Sequence, residues 1–391
     1  MLTSAQWSGK IKLMISREGI NARVEIITGE SLKSTAETAL SGLSKYAAGR
    51  RLIETYAFGL EGRIDDKSLR TMVAGIEFDN PVLFGAGWDK LGRAVRGLYH
   101  LGFAGGDVGT VLPFAQYGNE KPRLWTINEE HSVGLNRLGF NSPGQEVVEA
   151  NLEELGELPF PIGINVGRNK ISPNEHAPWA HATVIKRLYR FGSYFVLGVS
   201  SPNTPDLRGL QDKGPLRDNI QASHVAMEEM GGRKPLFIKI DAERSEAELD
   251  DMIEVVVEEG ATGFIATNTY MGSDLKAKYG KRWAEEAGGL SGDDPDFRRL
   301  STGVVRYLFE KAGDKVEILA AGAIKDADTA LDKIKNGASG VQVVTAIRPS
   351  WGKVAAETNK GLVEYMDREG VVSIQDLIGA GTDRGPKAKA T

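Results

Sequence analysis

Eight short apolar runs, most of them separated by helical patterns, restrict the fold of this chain more than any other feature. They are Pro81–Gly87, Gly105–Val111, Phe160–Gly167, Ser193–Ser200, Pro235–Ile240, Thr262–Asn268, Val316–Gly322 and Gly340–Thr345. Each has the length of a strand and is far too short to span a bilayer. Runs that are apolar at almost every position belong to parallel strands covered on both faces. Amphipathic stretches such as Ala247–Glu259 and Asp326–Asn336 supply the covering helices. Strand–helix units in this number predict an α/β protein with a (β/α)8 TIM barrel. No internal sequence repeat accompanies the alternation.

A barrel also predicts where the chemistry sits, because the loops at the carboxyl ends of its strands carry the site. The fourth run passes into SSPNT, a loop offering Ser200, Ser201, Asn203 and Thr204. These side chains accept, donate and relay protons without fixed charge. Taken alone, the loop reads first as a turn closed by Asx and Ser/Thr caps. The other run ends add to it. The first ends in Gly85-Ala86-Gly87, followed by Asp89 and Lys90, and the second in Gly109-Thr110. The third holds Asn165, with Asn169 and Lys170 beyond it. The sixth ends in Thr267-Asn268-Thr269, the seventh in Ala321-Gly322-Ala323 and the eighth in Thr345. Several amides on one barrel face suit a planar ligand.

The last two runs suggest a phosphate, since barrels bind one on the loops after strands 7 and 8. Gly322 permits close backbone approach, Thr345 adds a hydroxyl, and 288–292 (GGLSG) reads as a further glycine-rich loop. Together these point to a phosphorylated cofactor such as FMN. Lys239, inside the run KPLFIKI, is either a lysine snorkelling to the surface or a cation beside a flavin ring. A bare ammonium at such a position is costly.

Composition excludes several classes. A net charge of -5 gives no basic footprint for nucleic acid. The absence of cysteine rules out a thiol nucleophile, disulfides and cysteine-ligated iron–sulfur clusters in this chain. Of the five histidines, His176 and His181 are the closest pair; they read as solvated loop residues, and no metal is expected. The stretch MLTSAQWSGKIKL has no positive region leading into an apolar core, so a cytoplasmic protein is expected.

The chain divides into four parts. Residues 1–30 read as a β-hairpin extension built from Lys10–Arg17 and Ala22–Ile27. Residues 31–75 form a helical segment, with two helices parted near Gly49. The barrel occupies 76–376, and 377–391 is a flexible tail. The insertion Thr110–Val148 is a candidate lid or pocket wall.

The motifs FDNPVLFGAGWDK, DVGTVLPFAQYGNEKPRL, NRLGFNSPG, GINVGRNK, VSSPNTPDLRGLQ, IATNT, GGLSG and NGASGVQVVTAI follow one another between about residues 72 and 365. In this order they resemble dihydroorotate dehydrogenase, in particular the serine-base, quinone-dependent class 2. The resemblance implies FMN and oxidation of dihydroorotate to orotate in pyrimidine biosynthesis. It makes Ser201 the base that takes the C5 proton, with Thr204 and Phe140 ordering a relay water. It assigns Asn136, Asn203, Asn268, Thr269 and Lys90 to the substrate. It assigns Ala86, Gly87, Lys90, Thr110, Asn136, Asn165, Lys239, Thr267, Ser291, Gly292, Gly322, Ala323, Val344 and Thr345 to FMN. A quinone acceptor and peripheral contact with the inner membrane through the helical segment complete the implication.

Three positions depart from the pattern. Gly198 stands where the family has an asparagine touching flavin and orotate, and is expected to leave space for water or another substrate group. Restoring the asparagine is then expected to tighten orotate. Ala323 replaces the second of two glycines, which would strain the phosphate loop if that position needs positive φ. Val344 replaces a tyrosine. Two other readings stay open: an FMN barrel oxidoreductase for a different substrate, and a non-catalytic flavin-binding scaffold.

Overall fold

The computed structural model describes residues 30–59, 63–128, 132–204 and 206–387. The hairpin expected within residues 1–30 lies outside them. All eight apolar runs are strands: β1 (Val82–Phe84), β2 (Gly106–Val111), β3 (Ile162–Val166), β4 (Tyr194–Leu197), β5 (Leu236–Ile240), β6 (Gly263–Ala266), β7 (Glu317–Ala321) and β8 (Gly340–Val343). They close into a parallel barrel in which each strand neighbours the next in sequence, and β8 pairs with β1.

Strand periodicity sorts the side chains into two sets. Outward residues such as Val108, Ile164, Phe195, Ile238, Phe264 and Ile318 join the large core beneath the helices. Inward residues Leu83, Tyr194, Val196, Phe237, Ile265, Leu319 and Ala321 fill the barrel axis. A short hairpin, Thr71–Val73 with Ile76–Phe78, packs Val73 and Phe78 against this inner cluster. The Phe78 and Tyr194 rings meet edge-on at 6.5 Å. The plug leaves the carboxyl mouth as the open end. Local signals agree with the fold: helix Glu246–Glu259 starts at Ser245, which exchanges capping bonds with Glu248.

The helical segment is a pair, α1 (Glu30–Ser44) and α2 (Ala47–Phe58). The break falls at Lys45-Tyr46, ahead of Gly49. Gly49 sits in the first turn of α2, and a Cβ there would lie 2.0 Å from the Leu43 carbonyl oxygen. The glycine therefore permits the tight reversal without itself ending a helix. α1 packs on the short helix Val95–His100, where Gly97 admits Leu40.

Three expectations need correction. Residues 289–291 are a strand, pairing antiparallel with Val133–Asn136, which pairs in turn with Leu124–Asn128. The insertion and the glycine-rich stretch thus build one three-stranded wall. The carboxyl-terminal segment is tied down as far as Lys387, whose N–H donates to the Ile378 carbonyl (2.7 Å) and whose ammonium pairs with Glu317 (2.8 Å). His181 is fully buried on helix Ala177–Leu188, where the helical period turns it inward, and burial pulls its imidazole down to about 4. Among the described residues no cluster of acids and histidines is arranged to hold a metal.

Candidate active site

The site begins with charge inside the barrel. Lys239 on β5 and Asp107 on β2 both point to the axis, and both are buried. The Asp107 carboxylate accepts from the Tyr194 hydroxyl (2.6 Å) and from Gln342 Nε2 (2.9 Å). Gly163 makes this possible, since a Cβ there would lie 2.2 Å from the Tyr194 ring. Burial pushes the Asp107 carboxyl up and the Lys239 ammonium down, and each charge works against the shift of the other. Among the described residues Lys239 has no hydrogen-bond or ion-pair partner. Its register beside inward-facing Ile265, and its burial, rule out a lysine snorkelling to the outer surface.

Unpartnered polar atoms gather above it. Asn165 Oδ1 is held by the Thr110 hydroxyl (2.6 Å), which leaves Asn165 Nδ2 enclosed and without a partner. Thr267 Oγ1 on the sixth strand end is orphaned in the same way. Buried polar groups in folded proteins are normally satisfied, so a cluster of exceptions calls for a ligand. A planar ring with carbonyl and ring-nitrogen acceptors would satisfy the free amide, the hydroxyl and the ammonium together.

The phosphate end is also in place. Gly322 has φ +91° and Gly292 φ +93°, and a Cβ on Gly292 would strike the Ser132 carbonyl oxygen at 1.9 Å. Thr345 donates to Ser291 Oγ at 2.9 Å, joining the eighth strand end to the antiparallel wall. The next helix after β7 is not available to an anion, because Asp326 caps its amino terminus. Gly87 (φ +104°) opens the loop after β1, next to half-buried Ala86. Lys90 is buried and donates to Asn141 at 2.6 Å.

The catalytic-loop candidates lie across the same mouth. Ser201 Oγ accepts from the Asn203 N–H at 3.4 Å. Thr204 Oγ1 is enclosed and unpartnered. Asn268 reaches from the sixth strand end and donates to Ser200 at 3.1 Å, while its Oδ1 accepts from the Thr269 N–H at 2.8 Å. Phe140 adopts φ +52°, and its carbonyl accepts from Gln116. Asn136 ends its wall strand opposite Gly289. The loop has two moorings. Arg168 bonds Asn174, which donates to the Asp206 carbonyl (2.8 Å), and Gln211 bonds Asp241 (2.9 Å). Asp107, Gln342 and Arg168 escaped the sequence reading. For Asp107 the signal was there: an acid inside the run GGDVGTV is as conspicuous as Lys239.

A sequence profile described as dihydroorotate dehydrogenase matches residues 68–366. The chain belongs to the dihydroorotate dehydrogenase family. Dehydrogenases named for quinone are among its relatives. One from Anaeromyxobacter dehalogenans is 37% identical over 320 residues, covering 81% of this chain and 86% of the relative. One from Allorhizobium ampelinum is 39% identical over 317 residues, covering 80% and 85%. The ligand-free dihydroorotate dehydrogenase of Eimeria tenella superimposes with a TM-score of 0.78 at 32% identity, over 88% of this chain and 98% of that one. The family reaction is the oxidation of dihydroorotate to orotate, a step of pyrimidine biosynthesis.

Gly198 leaves no void: a Cβ would sit 2.8 Å from the Val166 carbonyl oxygen and 2.9 Å from Asn165 Oδ1. The expectation of space for another substrate group is therefore corrected, because the Asn165 side chain occupies that direction. Ala323 does adopt positive φ (+57°), and its methyl packs with Phe297, Leu290 and Val133. Val344 is half-buried against Gly85, where a Cβ would meet its Cγ2 at 2.6 Å.

Proposed function

We propose that this chain oxidises dihydroorotate with FMN as its cofactor, Ser201 as base and quinone as acceptor. The observation that carries the reading is that Asn165 Nδ2, Thr267 Oγ1 and Thr204 Oγ1, buried and without a partner among the described residues, and the buried Lys239 stand at the strand ends that the Ser201 loop crosses. FMN, when bound, supplies the acceptor for the hydride that leaves C6. Lys239 and Asn165 would hold its ring, while Gly292, Gly322, Ala323 and Thr345 would hold its phosphate. Lys239 favours negative charge on the ring. Asn136, Asn203, Asn268, Thr269 and Lys90 would orient the substrate, Lys90 facing its carboxylate. Ser201 Oγ takes the proton from C5. A serine hydroxyl is a weak base, so its own proton must leave; Thr204, together with Phe140, would order the water that carries it away.

The relatives named for quinone support that acceptor. So does the helix pair, which leaves Leu43, Tyr46, Leu52 and Tyr56 exposed. We place quinone access and peripheral contact with the inner membrane on this face. No helix among the described residues is long and apolar enough to cross a membrane. The purified protein should be yellow, bleach anaerobically on addition of dihydroorotate, and regain colour with a soluble quinone. A colourless protein, or colour that dihydroorotate leaves unchanged, would refute the proposal.

A further inference from the structure

Over the catalytic loop opens a cavity of about 410 Å³ that shares only Asn203 with the chemistry above. Pro202, Asn203 and Met271 line it together with three cations, Arg137, Lys170 and Lys276. The volume suits a small ring compound. The charge balance within it is one-sided. Arg137 has a counter-ion, with its Nε 3.4 Å from Glu286. Lys170 donates to the neutral Asn119 Oδ1 at 3.0 Å. Lys276 donates to two carbonyls, of Glu286 (2.9 Å) and Gly288 (3.4 Å). The field of the Glu286 carboxylate reaches Lys276 as well, and Glu243, whose weaker field does the same, is committed to Arg208 at 2.5 Å. Among the described residues, Lys170 and Lys276 thus stand without a bonded carboxylate, in a chain whose net charge is -5.

A concave site lined by one sign of charge concentrates ligands of the opposite sign and speeds their capture. Asn203 joins this cavity to the inner site, since its N–H donates to Ser201 Oγ. We propose that the cavity is an anion-capturing vestibule. Lys170 and Lys276 draw in the carboxylate of dihydroorotate, and the ring rests against Pro202 and Met271 before passing Asn203. The proposal rests on the dihydroorotate reading for the identity of the anion. It adds a binding step and two residues that act before the chemistry. Lys276 is buried and holds two carbonyls of the wall, so its replacement would disturb the backbone. Lys170 is exposed and is the position to test.

The experiment is anaerobic stopped-flow reduction of the flavin holoenzyme by dihydroorotate, at ionic strengths from about 10 mM to about 0.5 M, a span over which screening becomes nearly complete. Lys170→Gln should lower the second-order rate constant about threefold at low salt, and Lys170→Glu about tenfold, with the three proteins converging at high salt. Lys360→Gln, at an exposed lysine outside the cavity, should behave as the parent. Equal rates for the parent and Lys170→Glu at low salt would overturn the vestibule. So would a loss that persists unchanged at high salt, which marks a structural role. A parent flavin that never bleaches refutes the reaction itself, and the vestibule falls with it; that result is distinct from bleaching that ignores Lys170.

Discussion

Lys239 and Lys333 are both buried, and their surroundings differ. Lys239 points into the barrel, has no bonded partner among the described residues, and shares the barrel's carboxyl end with Asn165 Nδ2 and Thr267 Oγ1, which also lack partners there. Lys333 lies between the outer helices Pro295–Ala312 and Ala327–Lys335, where its ammonium donates to Ser301 Oγ at 2.5 Å. Burial pulls Lys333 down to about 7; Asp332 and Asp293 oppose the shift and Arg298 adds to it. Burial alone therefore does not mark a functional cation. What separates the two is company: Lys239 belongs to a set of unmet hydrogen-bonding groups that one ligand could satisfy, whereas Lys333 has its bond already.

The contrast is most sharply tested by removing each charge. Lys239→Met should slow flavin reduction by dihydroorotate about a hundredfold or more, because the cation facing the reduced ring is gone. A rate within twofold of the parent would erase the distinction. Lys333→Met should leave the rate alone and raise stability by a few kcal/mol at pH 7, roughly the magnitude implied by so depressed a lysine. The sign follows from proton binding. The folded lysine titrates near 7 and the unfolded one near 10.5, so the unfolded chain holds the extra proton between these values. The penalty is complete below about pH 7 and fades towards 10.5, and the gain from Lys333→Met should fade with it in urea titrations run across that range. Asp107→Asn removes the charge that opposes the burial shift of the Lys239 ammonium. Loss of that ammonium's proton should then begin at lower pH, leaving the reduction rate at alkaline pH about tenfold below the parent. The smallest effect is expected at Ala323→Gly. Relief of the left-handed backbone and loss of a buried methyl are each worth about 1 kcal/mol, so the melting temperature should move by only a few degrees.

The barrel was legible because its evidence is local. Each of the eight apolar runs is a strand, and strand polarity then places Ser201, Asn268, Lys239 and Gly322 at one end without further information. The wall was harder. Gly288-Gly289-Leu290-Ser291-Gly292 has the composition of a loop, and only pairing with a segment about 150 residues away makes it a strand. The Gly198 region was misjudged for the same reason. A missing side chain suggests room, but Asn165 and the Val166 carbonyl, both on the neighbouring strand, decide whether the room exists. Gly198→Asn must displace Asn165 from its bond with Thr110, so weaker flavin and orotate binding is expected, measured by fluorescence titration. Lys333 was invisible: in KIKNG it reads as an ordinary surface lysine.

The central claim is that the Ser201 hydroxyl faces the substrate at the barrel mouth and removes its proton. Its most direct test is the anaerobic bleaching rate of Ser201→Ala loaded with flavin. The expected fall is about 10²- to 10⁴-fold, with flavin and orotate still bound. Bleaching at the parent rate would contradict it.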